Sequence, residues 1–142
     1  MNYPFTAKIF SEEDTEQLAV YFAGKLKAGD VVILNGNLGA GKTFFIKKAA
    51  GSFAVKNVSS PTFALVNVYY GRIKIYHFDF YRINDIEELY EIGFNDYLSD
   101  SESVIFIEWG NLFPGVLPHK RIEVDITVND DFTRTIKFTK HE

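Results

Sequence analysis

The octapeptide Gly36-Asn37-Leu38-Gly39-Ala40-Gly41-Lys42-Thr43 satisfies every position of the pattern G-x-x-x-x-G-K-[ST], and no other stretch restricts the fold as much. Glycines in such a loop let consecutive backbone N–H groups turn toward phosphate oxygens. Lysine at this position reaches the β- and γ-phosphates, and the hydroxyl that follows ligates Mg²⁺. The pattern requires a buried strand before it and a helix after it, because the phosphates sit on the helix N-terminus. Both are legible. Val31 to Leu34 is a short apolar run opened by the turn signal Gly29-Asp30. Thr43 to Phe53 places Phe45, Ile46, Ala49, Ala50 and Phe53 on one helical side.

Alternating strands and helices are predicted for the remainder. Phe5 to Phe10 reads as a strand, and Ser11 as the N-cap of a helix reaching about Lys27, with Leu18, Ala19, Phe22 and Leu26 as its buried stripe. Lys56 to Thr62 reads as a polar, proline-containing connection. Ala64 to Tyr70 and Arg72 to Phe78 form a hairpin turning at Tyr70-Gly71; Asp85 to Glu91 is helical, and Val104 to Ile107 is a buried strand. Ile122, Val124 and Ile126 alternate with polar residues, Asn129-Asp130 turns the chain, and Phe132, Ile136 and Phe138 follow: an amphipathic closing hairpin. The expected fold is α/β, a single P-loop NTPase domain over residues 1–142 with a mixed, mainly parallel sheet, flanking helices and a C-terminal β-hairpin.

Composition narrows the function. The chain has no cysteine, which excludes a disulfide framework, a thiolate zinc site and a cysteine nucleophile. No run approaches a membrane span and no signal pattern opens the chain, so a cytoplasmic protein without membrane contact is expected. A formal charge of −4 opposes electrostatically driven binding to nucleic acid by the chain alone.

Phosphate hydrolysis needs a carboxylate for the metal and a group that places the nucleophile. Two apolar runs end in one: Ile75-Tyr76-His77-Phe78-Asp79 and Val104-Ile105-Phe106-Ile107-Glu108. Ligand groups gather at the carboxyl ends of parallel strands, which is where both acids would emerge. One would serve Mg²⁺ and the other orient water, and the pattern does not say which. Thr62, in Ser59-Ser60-Pro61-Thr62-Phe63, offers a further oxygen at a place where switch segments sense the γ-phosphate and its metal.

Taken together, GNLGAGKT, SSPTF, HFDFYR (His77 to Arg82) and Glu108-Trp109 resemble the TsaE family, formerly YjeE, from about Ser11 to Arg134. The resemblance implies a weak Mg²⁺-dependent ATPase with ATP and Mg²⁺ as cofactors. It also implies work with TsaB and TsaD in threonylcarbamoylation of the adenosine beside the anticodon, in tRNAs reading codons that begin with A, with tRNA met only through the complex. Carried over by position, Asn37, Leu38, Gly39, Ala40, Gly41, Lys42, Thr43, Phe44 and Arg134 would hold the nucleotide. Thr43, Glu108, Asp79 and Thr62 would serve the metal, and Asp79, Glu108 and Lys42 the chemistry. Two positions depart from the family, which often has Asp at Asn37 and a second Thr at Phe44. Altered affinity or rate follows from these, with binding retained.

His77, inside an apolar run, reads as a hydrogen-bonded structural histidine, and His119 and His141 as surface residues. Arg82 stands three residues after Asp79 and is placed to pair with it. Trp109 is a candidate contact to the site or to a partner. Glu87, Glu88 and Glu91 read as a solvated helix face. Among rivals, a GTPase would need the guanine reader N/T-K-x-D, which the sequence lacks, and a kinase an arginine-rich lid, where Arg82 is the only arginine between Asp79 and Val104. A nucleotide-sensing module that does not hydrolyse remains as the alternative from another class.

Overall fold

The computed structural model describes residues 1–62 and 65–142, without the side chains of residues 58–62. Eight strands form one sheet: β1 (Phe5–Ile9), β2 (Val31–Asn35), β3 (Asn57–Thr62), β4 (Val66–Tyr70), β5 (Lys74–Asp79), β6 (Ser103–Glu108), β7 (Arg121–Val128) and β8 (Arg134–His141). Their order is β1-β8-β7-β2-β6-β5-β4-β3. Helices α1 (Glu12–Ala23) and α2 (Lys42–Gly51) cover one face; α3 (Ile86–Glu91), α4 (Phe94–Leu98) and short 3-10 turns cover part of the other.

The expected mixed sheet is present, but its parallel part is narrow. Parallel pairing joins β7 to β2, β2 to β6 and β6 to β5, while the other four pairings are antiparallel. The reason is chain economy. Both flanks are built from hairpins, which need only short turns, whereas parallel neighbours need a helical crossover. The strands' compositions follow their cover. In β2, Val32 and Leu34 enter the core beneath α1 and α2, and Val31 and Ile33 enter the opposite core, so the strand is apolar throughout. In β7 only one face is covered by helices. Ile122, Val124 and Ile126 are buried, whereas Glu123 and Asp125 on the other face accept hydrogen bonds from the Asn35 amide at 3.0 and 2.9 Å.

Two sequence expectations are corrected here. Helix α1 begins as expected, with the Ser11 hydroxyl accepting from the Asp14 N–H at 3.2 Å, but it ends at Ala23, short of Lys27. Leu26 is buried from the loop beyond Gly24, so apolar spacing outran the helix. The 57–62 stretch is strand β3, not an irregular connection. Proline is tolerated there because β3 is an edge strand, paired only with β4. Ala64, the expected start of the next strand, lies outside the described residues; β4 itself begins at Val66. No described helix is long and apolar enough to cross a membrane.

Candidate nucleotide site

The loop after β2 folds as its glycines require. A Cβ on Gly36 would stand 2.7 Å from the Ile126 carbonyl oxygen, so only glycine lets the loop leave the sheet against β7. Gly41 caps α2 with φ at 108°, and no side chain caps that end. The contrast with α1 is instructive. α1 carries Ser11 as a cap and Glu12, Glu13 and Asp14 in its first turn; α2 has no acid in its first turn. Its N-terminal N–H groups and positive dipole end are left for an anion.

Because β2, β5 and β6 are parallel, their carboxyl ends share one edge, and register sets Asp79 directly beside Glu108. Both acids line a cavity of about 260 Å³ with Lys42, Thr43, Tyr81 and Trp109. Their environments differ. Glu108 is only 5% exposed; the Thr43 hydroxyl lies 2.9 Å from each of its oxygens, and His77 Nε2 lies 2.7 Å from Oε2. Burial pushes the Glu108 carboxyl up, but hydrogen bonds from His77 and Thr43, with the charge of Lys42, leave it below the ordinary glutamate value. It is therefore ionised at neutral pH. The Asp79 side chain is 31% exposed; its Oδ1 accepts from the Tyr81 N–H at 3.1 Å, and Arg82 Nε lies 3.8 Å from Oδ2.

Lys42 is buried, and its ammonium donates to the Gly36 and Asn37 carbonyls while lying 4.3 Å from the Trp109 ring centroid. Trp109 has φ at 61°, a left-handed conformation that bulky residues rarely adopt. That geometry sets its ring over the lysine and 5.2 Å from the Tyr81 ring. A second cavity adjoins the first, and Gly41 and Phe44 line both. It is walled by Thr15, Ile126 and Arg134, whose Nε is buried without a hydrogen-bond partner among the described residues. Arg134 thus stands beside the loop, its Nε 4.0 Å from where a Cβ on Gly41 would lie. Leu38 is exposed at the lip and Ala40 buried. Thr62 ends β3, and its side chain lies outside the described residues.

A sequence model of the family described as "Threonylcarbamoyl adenosine biosynthesis protein TsaE" matches residues 9–136. The chain belongs to the TsaE family. The TsaE protein of Rickettsia typhi is 41% identical over 133 residues, covering 92% of this chain and 91% of its own length. The Bacillus subtilis TsaE protein is 37% identical over 129 residues, covering 89% and 80%. The crystal structure of Bacillus subtilis YdiB superposes with a TM-score of 0.83 at 30% identity, over all of this chain and 88% of the other. TsaE membership and the glycine loop imply a nucleotide as ligand. The donor set also fits Mg²⁺, which takes hard oxygens and one or two carboxylates, here Thr43 Oγ1 and Glu108. No group of three or more His, Cys, Asp or Glu side chains placed to hold a metal ion is found among the described residues.

Sequence reading missed Tyr69. Its hydroxyl lies 3.2 Å from His77 Nδ1, extending the site's hydrogen bonds to β4. The period-two spacing of His77 and Asp79 was the available signal that this histidine shares the site's face.

Proposed function

We propose that the protein is a Mg²⁺-dependent ATPase of tRNA threonylcarbamoyladenosine biosynthesis, acting with TsaB and TsaD on tRNAs that read codons beginning with A. The supporting observation is the meeting of Lys42, Thr43, Asp79 and Glu108 on one cavity at an uncapped helix N-terminus. Residues 1–142 act as one domain. The loop 37–43 and the N-terminus of α2 wrap the phosphates, and Lys42 leaves the loop carbonyls for the β- and γ-oxygens. Thr43 and Glu108 hold Mg²⁺, which when bound neutralises charge developing on the phosphates. By the family resemblance, Thr62 serves as the switch-like threonine that senses the γ-phosphate and its metal. Asp79, the more exposed acid, orients the attacking water and takes up its proton as the bond from the γ-phosphorus to the bridging oxygen breaks and ADP leaves.

Adenine lies on the side of Thr15, Phe44 and Arg134, where the buried Nε of Arg134 lacks a partner among the described residues. With no N/T-K-x-D reader, ATP outcompetes GTP in equilibrium competition; equal affinities count against the assignment.

The site of action is cytoplasmic, and the net charge of −4 makes contact with tRNA indirect, through the protein complex. Tyr81 is exposed beside Trp109 and Arg82, and these residue types concentrate at interface hot spots. Arg82→Ala or Trp109→Ala therefore weakens binding to TsaB–TsaD more than it weakens binding to ATP, with both constants measured on the same preparations. Steady-state hydrolysis with and without TsaB–TsaD tests the function itself. No turnover in either condition leaves a nucleotide-sensing module; salt-sensitive tRNA binding without affinity for TsaB–TsaD overturns the partnership.

A further inference from the structure

Resting on the nucleotide-site reading above, we propose that His77 is the positioning residue of the Glu108 carboxylate and that Tyr69 holds His77 to that task. Side chains thereby tie β4 to the metal side of the site.

A glutamate carboxylate has a broad terminal torsion, so its partners must set how it presents its oxygens. Thr43 cannot set this alone, because its hydroxyl stands 2.9 Å from both oxygens. His77 breaks that symmetry, touching only Oε2, at 2.7 Å, and leaving Oε1 with the hydroxyl alone. A carboxylate only accepts, so Nε2 must carry the proton. In the neutral ring Nδ1 is then an acceptor, and the Tyr69 hydroxyl, 3.2 Å away, donates to it. Burial and then the Glu108 charge raise the Tyr69 phenol, keeping it a donor at neutral pH. Tyr69, His77 and Glu108 are all buried, and the Tyr69 and His77 rings lie nearly parallel, so few other geometries are open to the imidazole. Such outer partners of a metal ligand fix its orientation, and changing them costs about 10–100-fold in metal affinity or activity.

Two amides separate positioning from space filling. Glutamine sets its amide near the position of Nε2, and asparagine near that of Nδ1. His77→Gln therefore keeps the donor to Glu108 and retains single-turnover ATP hydrolysis within about threefold, whereas His77→Asn keeps only the Tyr69 contact and loses about tenfold or more. Nucleotide affinity measured in EDTA is unchanged in both, and its gain on adding Mg²⁺ shrinks in the asparagine variant alone. Imidazole ¹⁵N shifts in the unaltered protein show the Nε2–H tautomer. Tyr69→Phe removes one hydroxyl from an otherwise intact core, and it weakens that tautomer preference and the Mg²⁺-dependent gain together. Equal behaviour of the two amide variants, a Nδ1–H tautomer, or a Tyr69→Phe protein identical to wild type overturns the proposal. Failure of the wild-type protein to bind nucleotide in EDTA instead overturns the nucleotide-site reading beneath it.

Discussion

Lys42→Ala lowers ATP affinity by about a hundredfold, near 2.8 kcal/mol at 1.4 kcal/mol per tenfold, and leaves the fold at least as stable as before. Both halves follow from where the ammonium sits. It is buried, and desolvation lowers its pKa although Glu108 and Asp79 act to raise it. Its contacts are two loop carbonyls and the face of Trp109, and none of the ion pairs found among the described residues includes it. A cation kept dry on neutral partners is a cost to folding, of the kind a binding site retains for a group that is to meet an anion, here the phosphates of the proposed nucleotide. Removing it relieves that cost and forfeits the phosphate contacts, since no other lysine stands in the loop. Calorimetric titration with ATP and a thermal melt measure the two effects. Unchanged ATP binding would sink the nucleotide site.

Local chemistry explains how much of this arrangement was legible in the sequence. The loop 36–43 and its flanking strand and helix could be read because glycine, lysine and threonine at fixed spacing have few other uses. The emergence of Asp79 and Glu108 beside the loop was also readable, since each closes an apolar run and parallel strands end on one edge. Their difference was not. It comes from burial and from His77, which reaches Glu108 across the β5–β6 pairing, a contact between residues 31 positions apart. Tyr69 was hidden for the same reason: its partner His77 lies diagonally across on the neighbouring strand, two residues beyond the registered neighbour Ile75. Edge strand β3 was obscured by Pro61, whose missing N–H an edge position tolerates and a central strand would not. Trp109 could be flagged from its place after Glu108, but its left-handed backbone and its stacking on Lys42 appear only in three dimensions.

Asp79→Asn and Glu108→Gln each cut single-turnover hydrolysis by tenfold or more, about 1.4 kcal/mol in the barrier, and they do so by separable routes. Asparagine retains an oxygen for the Tyr81 N–H, so the turn after β5 keeps its cap while the half-exposed charge that would orient water is lost. Nucleotide binding, with and without Mg²⁺, stays near wild type. Glutamine at 108 acts differently. Only one of its terminal atoms accepts, whereas both carboxylate oxygens accept now, Oε2 from His77 and the pair from Thr43. An amide N–H₂ in place of Oε2 would face the Nε2–H at 2.7 Å, donor against donor, so the side chain must flip or withdraw and its registry with Thr43 goes with it. Glu108→Gln therefore loses the Mg²⁺-dependent part of nucleotide affinity along with turnover, while affinity in EDTA survives. Titrating ATP with and without the metal, beside single-turnover rates for both variants, separates the two acids. Full single-turnover activity in both would remove the two-carboxylate mechanism. An equal loss of Mg²⁺-dependent affinity in both would make Asp79 a second metal-side group and leave the orientation of water to a residue other than these two.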